Sequence, residues 1–306
     1  MIDLSIIIVS YNTKDLLKKC VDSVTEELRN SKITGEIIVV DNASTDDSVK
    51  VAKGLGASVI QNRGNLGFGR ANNLGAKQAK GRYLLFLNPD TEVKEGALGK
   101  MVEFMDENPE AGIASCRLVN LDGSFQPQGG YLPRLSTVAV WALFLDDLPI
   151  LRDILPSYQM RSRLRSNLYG VKVRPFVGKE MCWVGGTAMA VRRQAWEQLG
   201  GFDEKIFMYG EDVEICYRAN KIGWKVMINP EAEIVHVGKA SGGRWVTGEV
   251  RGLLYIFKKH KPGWEMPILK VMLAVGMGLR WLIFGILGGN ENLRRGYAEA
   301  FRLARQ

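Results

Sequence analysis

The sequence predicts an α/β fold with a mostly parallel central sheet flanked by helices. Three observations carry this: β-branched runs separated by single helical patterns, polar clusters at the carboxyl ends of those runs, and 306 residues of 46% hydrophobic composition, enough for a large core. Leu4–Val9 is a short β-branched strand, and Leu17, Cys20, Val21, Val24 and Leu28 then mark one helical face, with Thr13 as a candidate cap. Glu36–Val40 is a second buried strand, followed by a helix from Asp46, a strand at Ala57–Ile60, a helix from Phe68 to Lys80 and a strand at Arg82–Leu87. Apolar strands joined by single helices form a parallel sheet covered on both faces.

Beyond Pro109 the pattern is less regular. A Gly/Gln/Pro-rich loop spans Asp122 to Gly130, and an apolar stretch from Val138 to Leu155 carries Asp146, Asp147, Arg152 and Asp153; together they read as an insertion or acceptor-side element. Strand patterns return at Met181–Val184 and Thr187–Val191, on either side of Gly185-Gly186, and again at Trp224–Ile228 and Glu233–Val237. Residues 251–306 form a basic, apolar helical extension.

In open α/β sheets ligands bind beyond the carboxyl ends of the strands. Here those ends carry Ser10-Tyr11-Asn12, Asp41-Asn42-Ala43-Ser44 and Asn88-Pro89-Asp90. Each alone is an ordinary turn composition; at successive strand ends they indicate a pocket. Glu211, Asp212 and Glu214 open a further helix, on which Val213, Cys216 and Tyr217 keep apolar spacing and Glu214 pairs with Arg218 four residues on. Acidic side chains in a first turn complement the helix dipole, and a carboxylate there is also placed for chemistry.

Charge and cysteines bound the remaining choices. The net charge of +8 is local: residues 161–193 hold eight basic and one acidic side chain, and residues 251–306 hold ten and three. Such segments suit phosphates or an anionic leaflet, and no nucleic-acid motif accompanies them. Cys20, Cys116, Cys182 and Cys216 are scattered without a Cys-x-x-Cys pair, and the start of the chain runs straight into a strand pattern, so a cytoplasmic protein with buried structural thiols is expected. Val9–Thr13 lacks the basic, glycine-rich loop of a nucleotidyltransferase, the glycines at 64, 67 and 69 do not make a dinucleotide fingerprint, and there is no P-loop.

In order, Val9–Asn12, Val39–Asp46, Asn65–Asn73, Leu87–Thr91, Gly185-Gly186, Gly201–Glu204, Gly210–Glu214, Gly223-Trp224 and His236 resemble the family 2 glycosyltransferases, most closely bacterial rhamnosyltransferases of surface polysaccharide synthesis. The resemblance runs over roughly residues 3–240. It implies a GT-A fold over residues 1–250, with a nucleotide-binding half (1–110) and an acceptor-binding half (111–250), and an inverting, metal-assisted transfer from a nucleotide-diphospho-sugar. It implies that Asp41, Asn42, Ser10, Tyr11 and Asn12 hold the nucleoside, that Arg70 and Asn73 lie near the diphosphate, and that Gly185 and Gly186 let backbone approach the sugar. Asp90 and His236 would ligate Mn2+ or Mg2+, Asp212 would be the general base, and Glu211 would orient the acceptor or support Asp212. Where the family pattern is Asp-x-Asp, this chain has Asn88, which offers a carbonyl oxygen but no charge. His260, set among lysines, reads as surface.

Subfamily resemblance favours dTDP-rhamnose as donor, with UDP-sugars open, and a saccharide or polyprenyl-diphosphate-linked acceptor. A non-catalytic sugar-binding module is the other reading of the same fold; Asp90, Asp212 and His236 argue against it. Met266 to Gly289 is apolar except for Lys270 and Arg280, and an arginine at mid-span disfavours crossing a bilayer. Contact with the inner face of the cell membrane through 138–165 and 264–306 is expected instead. Trp264 and Trp281 would sit near headgroups, with Lys258, Lys259, Lys261, Arg294 and Arg295 facing anionic lipid; packing on the catalytic domain or in a homodimer competes with this.

Overall fold

The structure, a computed structural model, describes residues 2–148, 150–151, 154–159, 183–238, 244–286 and 291–306. The expectations placed on Arg161, Arg163, Arg165, Met181 and Cys182, and on the rest of the 138–165 patch beyond Gln159, lie outside the described residues.

Strands β1 (Leu4–Ser10), β2 (Gly35–Asp41), β3 (Ser58–Gln61) and β4 (Tyr83–Leu87) lie in the order β3-β2-β1-β4, all parallel. Their connections are α1 (Lys14–Asn30), α2 (Ser48–Gly54) and α3 (Phe68–Gln78). Alternate residues of one strand enter opposite cores: Ile7 packs in one, Ile6 and Ile8 in the other, so both faces are covered.

The chain continues through β5 (Thr91–Val93), α4 (Ala97–Glu107), β6 (Ala111–Val119), β7 (Phe125–Gln126), α5 (Leu135–Ala142), β8 (Ala188–Arg192), α6 (Arg193–Leu199), α7 (Glu211–Lys221) and β9 (Lys225–His236). The full sheet order is β3-β2-β1-β4-β8-β6-β9-β5, with β7 beside β6. β8 runs against both β4 and β6, and β5 against β9. Helices α8 (Arg244–His260), α9 (Glu265–Ile286) and α10 (Glu291–Ala304) follow, and Leu253, Leu269, Leu273 and Tyr297 join the core on one sheet face.

Several expectations change. Thr13 stands at the cap position of α1, but its hydroxyl meets Ser10 Oγ at 2.9 Å and makes no cap bond. The strands expected at 224–228 and 233–237 are one strand with a register shift, because Asn229 turns back to accept the Glu231 N–H and Pro230 has no N–H to donate. Trp183 forms an isolated bridge to Gly130 and no strand. The thiols of Cys20, Cys116 and Cys216 are buried, and burial pushes the first two up to about 12.

Candidate active site

Parallel pairing sets Ser10 beside Asp41, aligning the first two strand-end clusters. Most of their polar groups hold each other. Asn12, with φ 54° in the left-handed region, accepts the Thr45 N–H at 2.7 Å and donates its own N–H to Ser44 Oγ at 2.9 Å. Asn42 is buried, donates to Asn65 Oδ1 and the Gly67 carbonyl, and accepts from Asn62. Asp41 differs: Oδ2 accepts the Ser44 N–H at 3.0 Å, while Oδ1 is buried with no hydrogen-bond partner. Tyr11 is half exposed above them.

On α3, Asn73 gives its amide to the Phe202 carbonyl and Glu204 and accepts the Phe202 N–H, so it braces the Gly201–Glu204 turn. Arg70 is more exposed and lies 3.5 Å from Glu204. Beneath this turn Phe86, Phe202 and Trp196 stack at centroid separations of 4.8–5.4 Å, a rigid apolar floor.

The third cluster connects this side to the acidic helix. Asn88 N–H bonds the Thr187 carbonyl at 2.9 Å, and Gly186 N–H bonds Asp212 Oδ2 at 3.0 Å. Asp90 and Asp212 therefore lie on one continuous ridge, bridged by Asn88, Thr187 and Gly186. At Gly186 a Cβ would run into the Phe68 ring, which explains the glycine.

The approach to α7 is equally tight. Gly210, φ 104°, lies so close to Gly252 of α8 that a side chain on either would collide, which fixes where α7 begins. Asp212 then accepts from Gly186 and from Val213 N–H at 2.8 Å. Burial raises its carboxyl above the usual range, against the pull of these N–H donors. Glu211 is 5% exposed, Oε2 has no partner, and burial with the neighbouring Asp212 charge pushes it up to about 8. Glu211 therefore holds its proton at neutral pH beside Asp212.

Glu214 points away from this cleft. It is fully buried, paired with Arg218 at 2.8 Å, Lys259 at 2.7 Å and His260 Nε2 at 2.9 Å, and clamps α7 to α8. His260 is accordingly not the surface residue expected, because Glu214 draws its ring inward to 10% side-chain exposure.

Antiparallel pairing of β5 with β9 sets Thr91 opposite His236, bringing Nε2 to 3.3 Å from Asp90 Oδ1. Burial pushes the Asp90 carboxyl up, and the hydrogen bond and charge of His236 outweigh it, holding Asp90 below its ordinary value. His236 Nδ1 meets Gln126 Oε1 at 2.7 Å, while Gln126 Nε2 donates to Asn120 Oδ1. With Nδ1 held by Gln126 and Nε2 beside Asp90 Oδ1, one imidazole nitrogen and one carboxylate oxygen lie side by side, a donor pair that would suit a divalent cation once Nε2 carries no proton. Among the described residues no cluster of three or more His, Cys, Asp or Glu side chains could hold a metal. Gln126 went unnoticed in the sequence because it lies in a two-residue strand within a loop-like composition.

A cavity of about 490 Å³ between α8, α9 and α10 is lined by none of the predicted site residues.

Residues 5–198 match the family model described as glycosyl transferase family 2. The N-acetylglucosaminyl-diphospho-decaprenol L-rhamnosyltransferase of Mycobacterium tuberculosis is 26% identical over 275 residues, covering 84% of this chain and 82% of that protein. A rhamnosyltransferase of Escherichia coli is 24% identical, covering 76% and 82%. A mannosyltransferase of Pyrobaculum calidifontis, solved with GDP-Man and Mn2+, superposes with a TM-score of 0.59 at 16% identity over 97% of this chain and 85% of its own.

Proposed function

The chain belongs to glycosyl transferase family 2 and is a glycosyltransferase of GT-A fold; from that premise we propose that it moves rhamnose from dTDP-rhamnose, with inversion, onto a polyprenyl-diphosphate-linked saccharide in surface polysaccharide synthesis. The donor and acceptor rest on the names of its relatives in Mycobacterium tuberculosis and Escherichia coli. Such an acceptor would keep the enzyme at the cytoplasmic face of a membrane.

The observation that carries the mechanism is the ridge from Asp90 through Gly186 to Asp212. Asp212 takes the proton of the attacking acceptor hydroxyl; the oxygen bonds to the anomeric carbon, and the bond to the diphosphate breaks with its electrons going to the departing phosphate oxygen. Gly186 and Val213 N–H groups hold both oxygens of the base in place. Glu211, buried and neutral, offers no second nucleophilic carboxylate, which supports single displacement over a double one. Asp41 Oδ1, a buried oxygen without a hydrogen-bond partner at the end of β2, is suited to accept from the nucleobase. Asp90 and His236 Nε2 would hold the divalent cation, which offsets charge on the diphosphate as it leaves.

The test is a transfer screen over dTDP-rhamnose and UDP-hexoses with Mn2+ or Mg2+, with the anomeric configuration of the product determined by NMR. Transfer of rhamnose with inversion is expected. Preference for a UDP-hexose would reassign the donor, and a retained configuration would remove Asp212 as base of a single displacement.

A further inference from the structure

Helix α9 is long and apolar enough to span a bilayer, with 22 residues and mean hydropathy 1.7 in its best window, yet its packing rules this orientation out. Leu269, Leu273, Gly276, Met277 and Arg280 are buried in the protein. The Arg280 guanidinium donates to the Trp141 carbonyl at 2.7 Å and the Ala142 carbonyl at 2.6 Å, and stacks 3.9 Å over the Phe144 ring. A side chain on Gly276 would strike the Ala142 carbonyl. Pulling α9 away to cross a membrane would strip a buried cation of its partners.

Among the described residues the opposite face has no such cover. Trp264, Ile268, Val271, Val275, Leu279 and Leu282 recur every three or four residues, each at least 42% exposed, and Ile286 extends the row. No charged residue interrupts this stripe. Exposed Leu148, Ile150 and Ile154 follow on the chain that leaves the α5–α9 contact. An uncovered apolar row six turns long is unusual on a monomer and marks an interaction surface.

Charge decides among occupants. α10 runs along the flank of the stripe, since a Cβ on Gly278 would meet the Phe301 ring and one on Gly285 would meet the Arg294 guanidinium. Arg294, Arg295, Arg302 and Arg305 are exposed along α10, with Arg305 stacked on Phe301. A two-fold dimer through this face would oppose the same basic rim on both copies. The lysines expected to face lipid are largely committed elsewhere: Lys259 to Asp203 and Glu214, Lys261 over Tyr217.

We propose that α9 lies flat in the headgroup–acyl boundary of an anionic leaflet, its outward stripe in the acyl chains and the arginines of α10 on lipid phosphates, while its inner face stays locked to α5. This deepens the lipid-linked acceptor reading and rests on it for its purpose, but its physical content is separable.

The experiment compares the full chain with Val275→Glu/Leu279→Glu and with Arg294→Gln/Arg302→Gln/Arg305→Gln. Each is tested for co-sedimentation with vesicles of phosphatidylcholine alone or with about one third phosphatidylglycerol, without donor or acceptor. Wild type is expected to bind anionic vesicles at least about tenfold better than neutral ones, and both variants to lose about tenfold or more with their circular dichroism and melting temperature unchanged. Transfer to a water-soluble acceptor should be unaffected. Equal, weak binding of all three proteins to both vesicles would overturn the proposal, as would a wild-type dimer that Val275→Glu/Leu279→Glu dissolves. Vesicle binding without sugar transfer from any donor would leave this inference standing and defeat the proposed reaction.

Discussion

The strand-end loops and the acidic helix with its neighbours use similar residues for opposite purposes. At the strand-end loops and α3, Asn42 and Asn73 are held by hydrogen bonds to other loops, while Asp41 Oδ1 is buried without a partner. Around the acidic helix and β5, Glu211 is buried with an unpartnered oxygen, Asp212 has a raised carboxyl, and Asp90 lies 3.3 Å from His236 Nε2. A polar side chain whose bonds are all made holds the site in shape. One that is buried with capacity to spare is the one with chemistry left to do.

That contrast can be broken by substitution, beginning with the largest effect. Asp90→Ala should lower transfer by at least about a hundredfold and abolish its dependence on divalent cation, seen by titrating Mn2+ in steady-state assays. The variant also loses the His236 contact, so a modest fall in melting temperature is expected, and a fall matching the loss of rate would count against the division.

Glu211→Gln should act on the pH profile. In wild type, activity should decline as pH rises through about 8, where Glu211 ionises beside Asp212. The same raised carboxyl makes folding stability fall as pH climbs from the ordinary carboxylate range to about 8, because the folded state holds a proton the unfolded chain has lost. Glutamine imitates the neutral acid, so the variant should keep neutral-pH activity within about threefold and lose the alkaline limb in both rate and stability profiles.

Asn73→Ala should do the reverse. Removing a buried amide that satisfies Phe202 N–H and C=O should cost about 1–3 kcal/mol by denaturant titration, with a comparatively small change in the rate of the chemical step. A variant of unchanged stability but lost turnover would move Asn73 from brace to ligand.

The sequence made the first half legible because β1, β2 and β4 each carry an apolar run of four or five residues whose polar ends follow directly. Placing Asp212 in a first turn also needed only local spacing. What stayed hidden depends on distant partners. Asn73 and Phe202 are 129 residues apart, and Glu214 meets His260 across 46. β6 was missed because Ala111–Val119 mixes small and polar residues, although nearly all of it is buried between neighbouring strands.

The central claim is that Asp212 removes a proton while other residues hold the donor. It is tested most directly by measuring, on one preparation of Asp212→Asn, donor affinity by calorimetry and single-turnover transfer by rapid quench. Donor affinity within about threefold of wild type, with transfer slowed about 10²- to 10⁴-fold, is the predicted result. Transfer at the wild-type rate, or loss of donor binding in proportion to lost transfer, would contradict it.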